Sequence, residues 1–147
     1  MPLPIVFTAS GDLPPGVHQA TLSQVRERFG KDTPQRVILN TRLERVFTIA
    51  SATGNLAGLI VFGSFVTTKV SPNDVDIFLL MDDAFDVSLL HGEARLVFDH
   101  SAAQSHFGCS IFWLRRLAAF GGEEAAVTQW QIKRDGNKRG IVEITGP

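Results

Sequence analysis

Two short apolar runs, Leu59-Ile60-Val61-Phe62 and Ile77-Phe78-Leu79-Leu80, set the strongest constraint on the fold. Gly63-Ser64 closes the first and Asp74-Val75-Asp76 opens the second. Runs of this length bounded by turn residues read as buried strands. The pattern predicts strands over 57–62 and about 74–81. A short helical segment begins at the Gly63-Ser64 turn, and Pro72 and Asn73 break it.

Side chains alternate along a strand, so Asp74 and Asp76 face one way while Val75 and Ile77 face the core. Two carboxylates on one rigid face make half of a site for a hard cation such as magnesium, with further oxygen ligands to come from phosphates. Gly63 allows close backbone approach to a ligand. A helix starting at Ser64 would present free N–H groups to a phosphate. The Ser64 hydroxyl can add a hydrogen bond, and Lys69 is a candidate charge partner. An Asp-x-Asp pair alone is more often a solvated strand end, and Gly-Ser more often a plain turn. The informative feature is the ordered combination of strand, Gly-Ser, spacer 65–73 and Asp-x-Asp opening a strand.

The flanking sequence supplies helices first and then strands interleaved with short helices. Residues 1–20, with Leu13-Pro14-Pro15-Gly16-Val17-His18, read as an extended arm, and 21–147 as a single domain. Thr21 and Gln24 form a capping-box pattern for a helix that stops at Gly30. Pro34 suits the first turn of a longer helix that ends at Gly54. Val37, Ile38, Leu43, Val46, Phe47 and Ala50 form its expected core stripe. A helix is expected over 92–105, a strand over 109–114, and a final strand at Ile141-Val142-Glu143-Ile144. Asp82, Asp83 and Asp86 mark an acidic loop, and Asp135-Gly136-Asn137 a tight turn. Trp113 and the phenylalanines are expected in the core. The fold class is α+β, a short mixed sheet with packed helices.

The chain's 147 residues are enough for one core. Its net charge of −1 excludes a surface that is basic all over, although local basic patches remain. Cys109 is the only cysteine, so no internal disulfide forms. The N-terminus lacks a signal-peptide pattern, and no apolar run has the length of a membrane span. The expectation is a cytoplasmic protein with no membrane association.

The segment Phe62-Gly63-Ser64 with Asp74-Val75-Asp76-Ile77 resembles the polymerase-β-like nucleotidyltransferase superfamily, most closely its small bacterial minimal and antitoxin-like members. The arm at 13–18 and the tail Arg134–Val142 are similar to a poorly characterised bacterial family of this type. The resemblance implies a nucleotidyltransferase fold. It also implies Mg2+-dependent transfer of a nucleoside monophosphate from a nucleoside triphosphate to an acceptor hydroxyl. Gly63, Ser64 and Lys69 would hold phosphates, and Asp74 and Asp76 would be the catalytic metal ligands. The acceptor would be an RNA or a partner protein, such as the toxin of a toxin–antitoxin pair.

Active members carry a third carboxylate on a neighbouring strand, and in Cys109-Ser110-Ile111-Phe112 its place falls on Ser110. A serine hydroxyl is uncharged and a poor base at neutral pH. Asp99, His100 and Glu143 are the candidates to replace it. Two readings stay open: an enzyme with a rearranged base, and a non-catalytic nucleotide-binding or protein-interaction module. Asp99, His100, His106 and Cys109 match no common zinc spacing and read more simply as a helix end before a buried strand. Lys133, Arg134, Lys138 and Arg139 around the 135–137 turn, near Trp130, form either a solvated hairpin tip or a grip for phosphates or an acidic partner. Gly30-Lys31 is not a P-loop, and no Gly-x-Ser-x-Gly occurs.

Overall fold

Threonine caps start the first two helices in the computed structural model, which describes residue 3 and residues 6–147. Residues 1, 2, 4 and 5 of the expected arm lie outside the described residues. Helix α1 (Leu22–Phe29) has the full capping box between Thr21 and Gln24, and Gly30 ends it. Helix α2 (Pro34–Ala52) begins with Pro34 in its first turn, where Thr33 accepts from the Arg36 N–H.

Five described strands form one mixed sheet in the order β1-β5-β2-β3-β4. They are β1 (Val17–Ala20), β2 (Leu56–Phe62), β3 (Val75–Met81), β4 (Cys109–Arg115) and β5 (Ile141–Ile144). Strands β2 and β3 are antiparallel, as are β2 and β5, whereas β3 runs parallel to β4 and β1 to β5. The extended arm thus ends as an edge strand, and Leu13 is fully buried. The fold is a mixed α+β domain with helices packed on a short sheet.

The two faces of the sheet carry different cores. Leu59, Val61, Val75, Ile77, Leu79, Cys109 and Ile111 pack against α1 and α2, and against α3 (Glu93–Val97) and α4 (His100–Phe107). Ile60, Phe78, Leu80 and Ile141 pack under α5 (Glu123–Thr128) and Trp130. Central β2 and β3 are therefore covered on both sides, which accounts for their continuous apolar runs. Each fully buried Leu, Ile or Phe contributes roughly 1.5–3 kcal/mol.

Three details differ from the sequence expectation. The helix expected over 92–105 is two helices, because Asp99 accepts from the Ala102 N–H at 3.0 Å and caps a new start. Val37 and Ile38 are 50% and 47% exposed, while Arg36, Leu39, Asn40, Leu43, Val46 and Ala50 face inward. Among the phenylalanines, Phe112 is 38% and Phe120 97% exposed, so neither fills the core. Among the described residues, no helix is long and apolar enough to cross a membrane.

Candidate functional site

The site lies at the end of β2 and the start of β3, on the sheet face that carries α5. Gly63 turns the chain at φ +80°, a conformation open to glycine at little cost. A Cβ at this position would lie 2.0 Å from Asp76 Oδ2, so the Asp76 carboxylate rests directly over the glycine. The register explains this, since Phe62 pairs with Asp76 and the turn begins one residue later.

Asp76 also pairs with Ser110 on β4, and the Ser110 hydroxyl donates to Asp74 Oδ2 at 3.0 Å. Asp74, Asp76 and Ser110 therefore share one face, as the alternation predicts, while Val75 and Ile77 are fully buried on the other. Burial pushes the Asp76 carboxyl up to about 6, and the Asp74 charge adds to the effect. Arg139, the Ser110 hydroxyl and Arg134 act in the opposite direction.

The segment between the turn and the carboxylates is fixed from α2. Arg36 is 6% exposed and donates to Phe29 O at 3.1 Å, Phe65 O at 2.8 Å and Thr67 O at 2.7 Å. It also donates twice to Lys69 O. All five guanidinium N–H groups are thereby used, four of the bonds on the loop after Gly63-Ser64. Burial lowers the Arg36 pKa from its ordinary value. Sequence periodicity missed this residue because a charged side chain at a core position breaks the apolar stripe. Only its i, i+3, i+4, i+7 spacing to Leu39, Asn40 and Leu43 signals an inward face.

The basic cluster at the C-terminal turn reaches the same region. Asp12 is 7% exposed and pairs with Lys133 Nζ at 3.1 Å and Arg139 Nη1 at 3.6 Å. Gly140 N–H donates to Leu13 O at 2.8 Å, and Gly16 N–H to the Gln131 side chain at 2.6 Å. A Cβ at Gly140 would stand 2.3 Å from Pro14 O, so the arm and the tail meet backbone to backbone. Val142 pairs with Val61, so the residues before β5 run alongside the Gly63-Ser64 turn. The three separate stretches of sequence that carried the resemblance are neighbours in space. Arg134 and Arg139 join the carboxylate pair electrostatically.

Other expectations resolve differently. Ser64 opens only a three-residue 3-10 turn, too short for a helix macrodipole, which leaves its hydroxyl as the group for a ligand. Lys69 is exposed and lines a groove with Phe7, Arg28 and Asp32, with no contact to the carboxylates. Asp99 caps α4, His100 bonds Ile111 O, and His106 bonds Glu93. Cys109 is buried, its thiol pushed up to about 12 by desolvation. Glu143 sits across β2 from the pair, where it accepts from Gln19. The acidic loop is occupied locally, with Asp82 bonded to Asn55 and Ala84, Asp83 to Leu117 N and Asp86 to Ser88. Among the described residues no third His, Cys, Asp or Glu groups with Asp74 and Asp76.

Two carboxylates fit a magnesium ion only if other oxygens complete its six ligands, the usual arrangement for a magnesium bound together with phosphates. Asp76 suits the same arrangement, because burial and the Asp74 charge outweigh the Arg139, Ser110 and Arg134 contributions and leave its ionised form disfavoured without a further cation. No curated protein and no solved structure matches the chain. A family sequence model matches residues 5–145, and the chain belongs to that family, a family of unknown function (DUF6932).

Proposed function

We propose that this protein is a nucleotidyltransferase-like domain that binds a nucleoside triphosphate through Mg2+ held by Asp74 and Asp76. The observation that carries the reading is the meeting of both carboxylates with Gly63 and Ser110 at one sheet end. Arg134 and Arg139 supply positive charge beside a pair that would otherwise repel phosphates. Mg2+ would neutralise charge on the triphosphate and polarise it toward attack. Gly63 lets the Asp76 carboxylate lie against the turn, Ser64 offers a hydroxyl, and Arg36 holds the intervening loop still. Transfer would form a bond from an acceptor hydroxyl oxygen to the α-phosphorus and break the α–β bridging bond. Pyrophosphate would leave, and the hydroxyl proton would pass to a base.

A second reading, binding without transfer, is favoured by Ser110. Its hydroxyl occupies the neighbouring position on β4 and donates to Asp74, so it can neither take the acceptor's proton nor hold a second cation strongly. Calorimetry with ATP, GTP, CTP and UTP, with and without Mg2+, tests the shared core of both readings. Binding is expected with Mg2+ and is lost in Asp74→Asn plus Asp76→Asn. Equal affinity in that double variant would sink the assignment. Release of pyrophosphate with an RNA or protein acceptor separates transfer from binding.

A further inference from the structure

Beyond Ser110, β4 continues the same sheet face into a ring-lined groove of about 430 Å³. Phe112 lies two residues past Ser110, roughly 7 Å farther along the strand and on the same side. Its ring is 38% exposed although it stands among other aromatics. Trp130 packs 5.2 Å from it, centroid to centroid, and His100 4.9 Å from it. His100 Nδ1 stands 3.1 Å from Ile111 O. A carbonyl only accepts, so Nδ1 carries the proton. In the neutral ring Nε2 is then an acceptor, with no partner among the described residues. His100 itself is exposed. The groove thus offers a partly exposed aromatic ring and one hydrogen-bond acceptor, a short step from the carboxylate pair.

Resting on the reading of Asp74 and Asp76 as the triphosphate end, we propose that this groove is a nucleobase subsite. The base stacks on the Phe112 face beside Trp130, and His100 Nε2 accepts a hydrogen bond from an N–H on its edge. Laid across the sheet, the distal phosphates lie toward the Gly63-Ser64 turn on β2. The α-phosphate lies at the pair on β3, and the nucleoside over β4. Ile111, the one residue between Asp76's partner Ser110 and Phe112, turns to the opposite face, so the span of roughly 7 Å between them leaves room for the sugar. Stacking explains why an aromatic ring stays partly in water at the sheet edge instead of being covered.

The chain has two tryptophans and no tyrosine, and both Trp113 and Trp130 line this groove, so its intrinsic fluorescence reports on the subsite. Nucleoside triphosphates with Mg2+ are expected to quench it. Inorganic tripolyphosphate with Mg2+ should bind by calorimetry without quenching. Phe112→Ala and the milder Phe112→Leu should each weaken nucleotide binding roughly tenfold or more. Both should leave tripolyphosphate affinity unchanged. Nucleotide affinity equal to wild type in both variants, or equal affinity of nucleotide and tripolyphosphate, overturns the subsite while the carboxylate reading stands. Should neither nucleotide nor tripolyphosphate bind, the carboxylate reading falls and free nucleosides at millimolar concentration decide the groove. Quenching that Phe112→Ala abolishes supports it, and no quenching overturns it.

Discussion

Ser110 Oγ donates a 3.0 Å hydrogen bond to Asp74 Oδ2 across the parallel β3–β4 pair. The hydroxyl thus gives a carboxylate its partner in a place where a third carboxylate would add charge. Removing the donor with Ser110→Ala should cost about 1.5–3 kcal/mol, the range for a hydrogen bond to a charged group, read from the urea midpoint. Ser110→Asp sets a third negative charge against the pair. That variant should melt below wild type in EDTA and recover in Mg2+, because a hard cation with more carboxylates binds more tightly. A Ser110→Asp protein as stable as wild type in EDTA would contradict the close approach of these side chains.

Asp76 predicts a pH dependence with a definite sign. Its carboxyl is raised from 3.8 to about 6 in the folded protein, chiefly by burial, so the folded state holds this proton more tightly than the unfolded chain. In metal-free buffer the contribution of Asp76 is most favourable below about pH 4. It is lost as pH rises toward 6 and is constant above that. The two-unit shift, discounted for the exposed part of the group, corresponds to about 2 kcal/mol. Asp76→Asn should remove this slope and stabilise the protein at pH 7 to 8. A wild-type stability profile and an Asp76→Asn profile that run parallel between pH 4 and 7 would refute it.

Arg36 is the single residue on which the position of the 65–69 loop most depends. Lysine has three donors and no planar fork, so Arg36→Lys cannot reproduce five bonds to four carbonyls. The expected loss is about 3 kcal/mol for Arg36→Lys and as much or more for Arg36→Ala, since buried carbonyls lose their partners. Chemical denaturation measures this. Hydrogen exchange should rise first in 63–69, and protection there equal to wild type would argue that other contacts hold the loop.

What could be read in the sequence follows from locality. Thr21–Gln24, Pro34, the Gly63 turn and the alternation at Asp74-Val75-Asp76 are decided by residues a few positions apart, and the structure keeps all of them. The neighbourhood of Ser110 and Asp76 was legible because the resemblance supplied a strand order. Arg36, Asp12 and the inward set of Arg139 were not. Each depends on a partner 29 to 127 positions away, such as Phe65 for Arg36 and Arg139 for Asp12. No periodicity records such pairs. The split between α3 and α4 escaped because Asp99 reads equally as a helix residue or as a cap until Phe98 is seen in the core.

Asp12 supplies the last prediction. Its nearly buried carboxylate holds Lys133 and Arg139, and through them the turn that brings Arg134 and Arg139 toward Asp76. Asp12→Ala takes from Lys133 and Arg139 the carboxylate they share, a change that costs about 3 kcal/mol when a partly buried ion pair is broken from one side. Asp12→Asn keeps acceptor geometry without the charge and should fall between. The loss should be local first, since the turn itself is closed by Lys133 N–H to Asn137 O and Gly136 N–H to Lys133 O, bonds that do not involve Asp12. Trypsin should therefore cut after Lys133, Arg134, Lys138 or Arg139 faster in Asp12→Ala than in wild type, before general unfolding. Mg2+-dependent nucleotide affinity should drop in parallel, because the arginines no longer face the phosphates. Unchanged cleavage within 133–139 together with an unchanged urea midpoint would show that the backbone bonds at Leu13 and Gly16 hold the tail without the ion pairs.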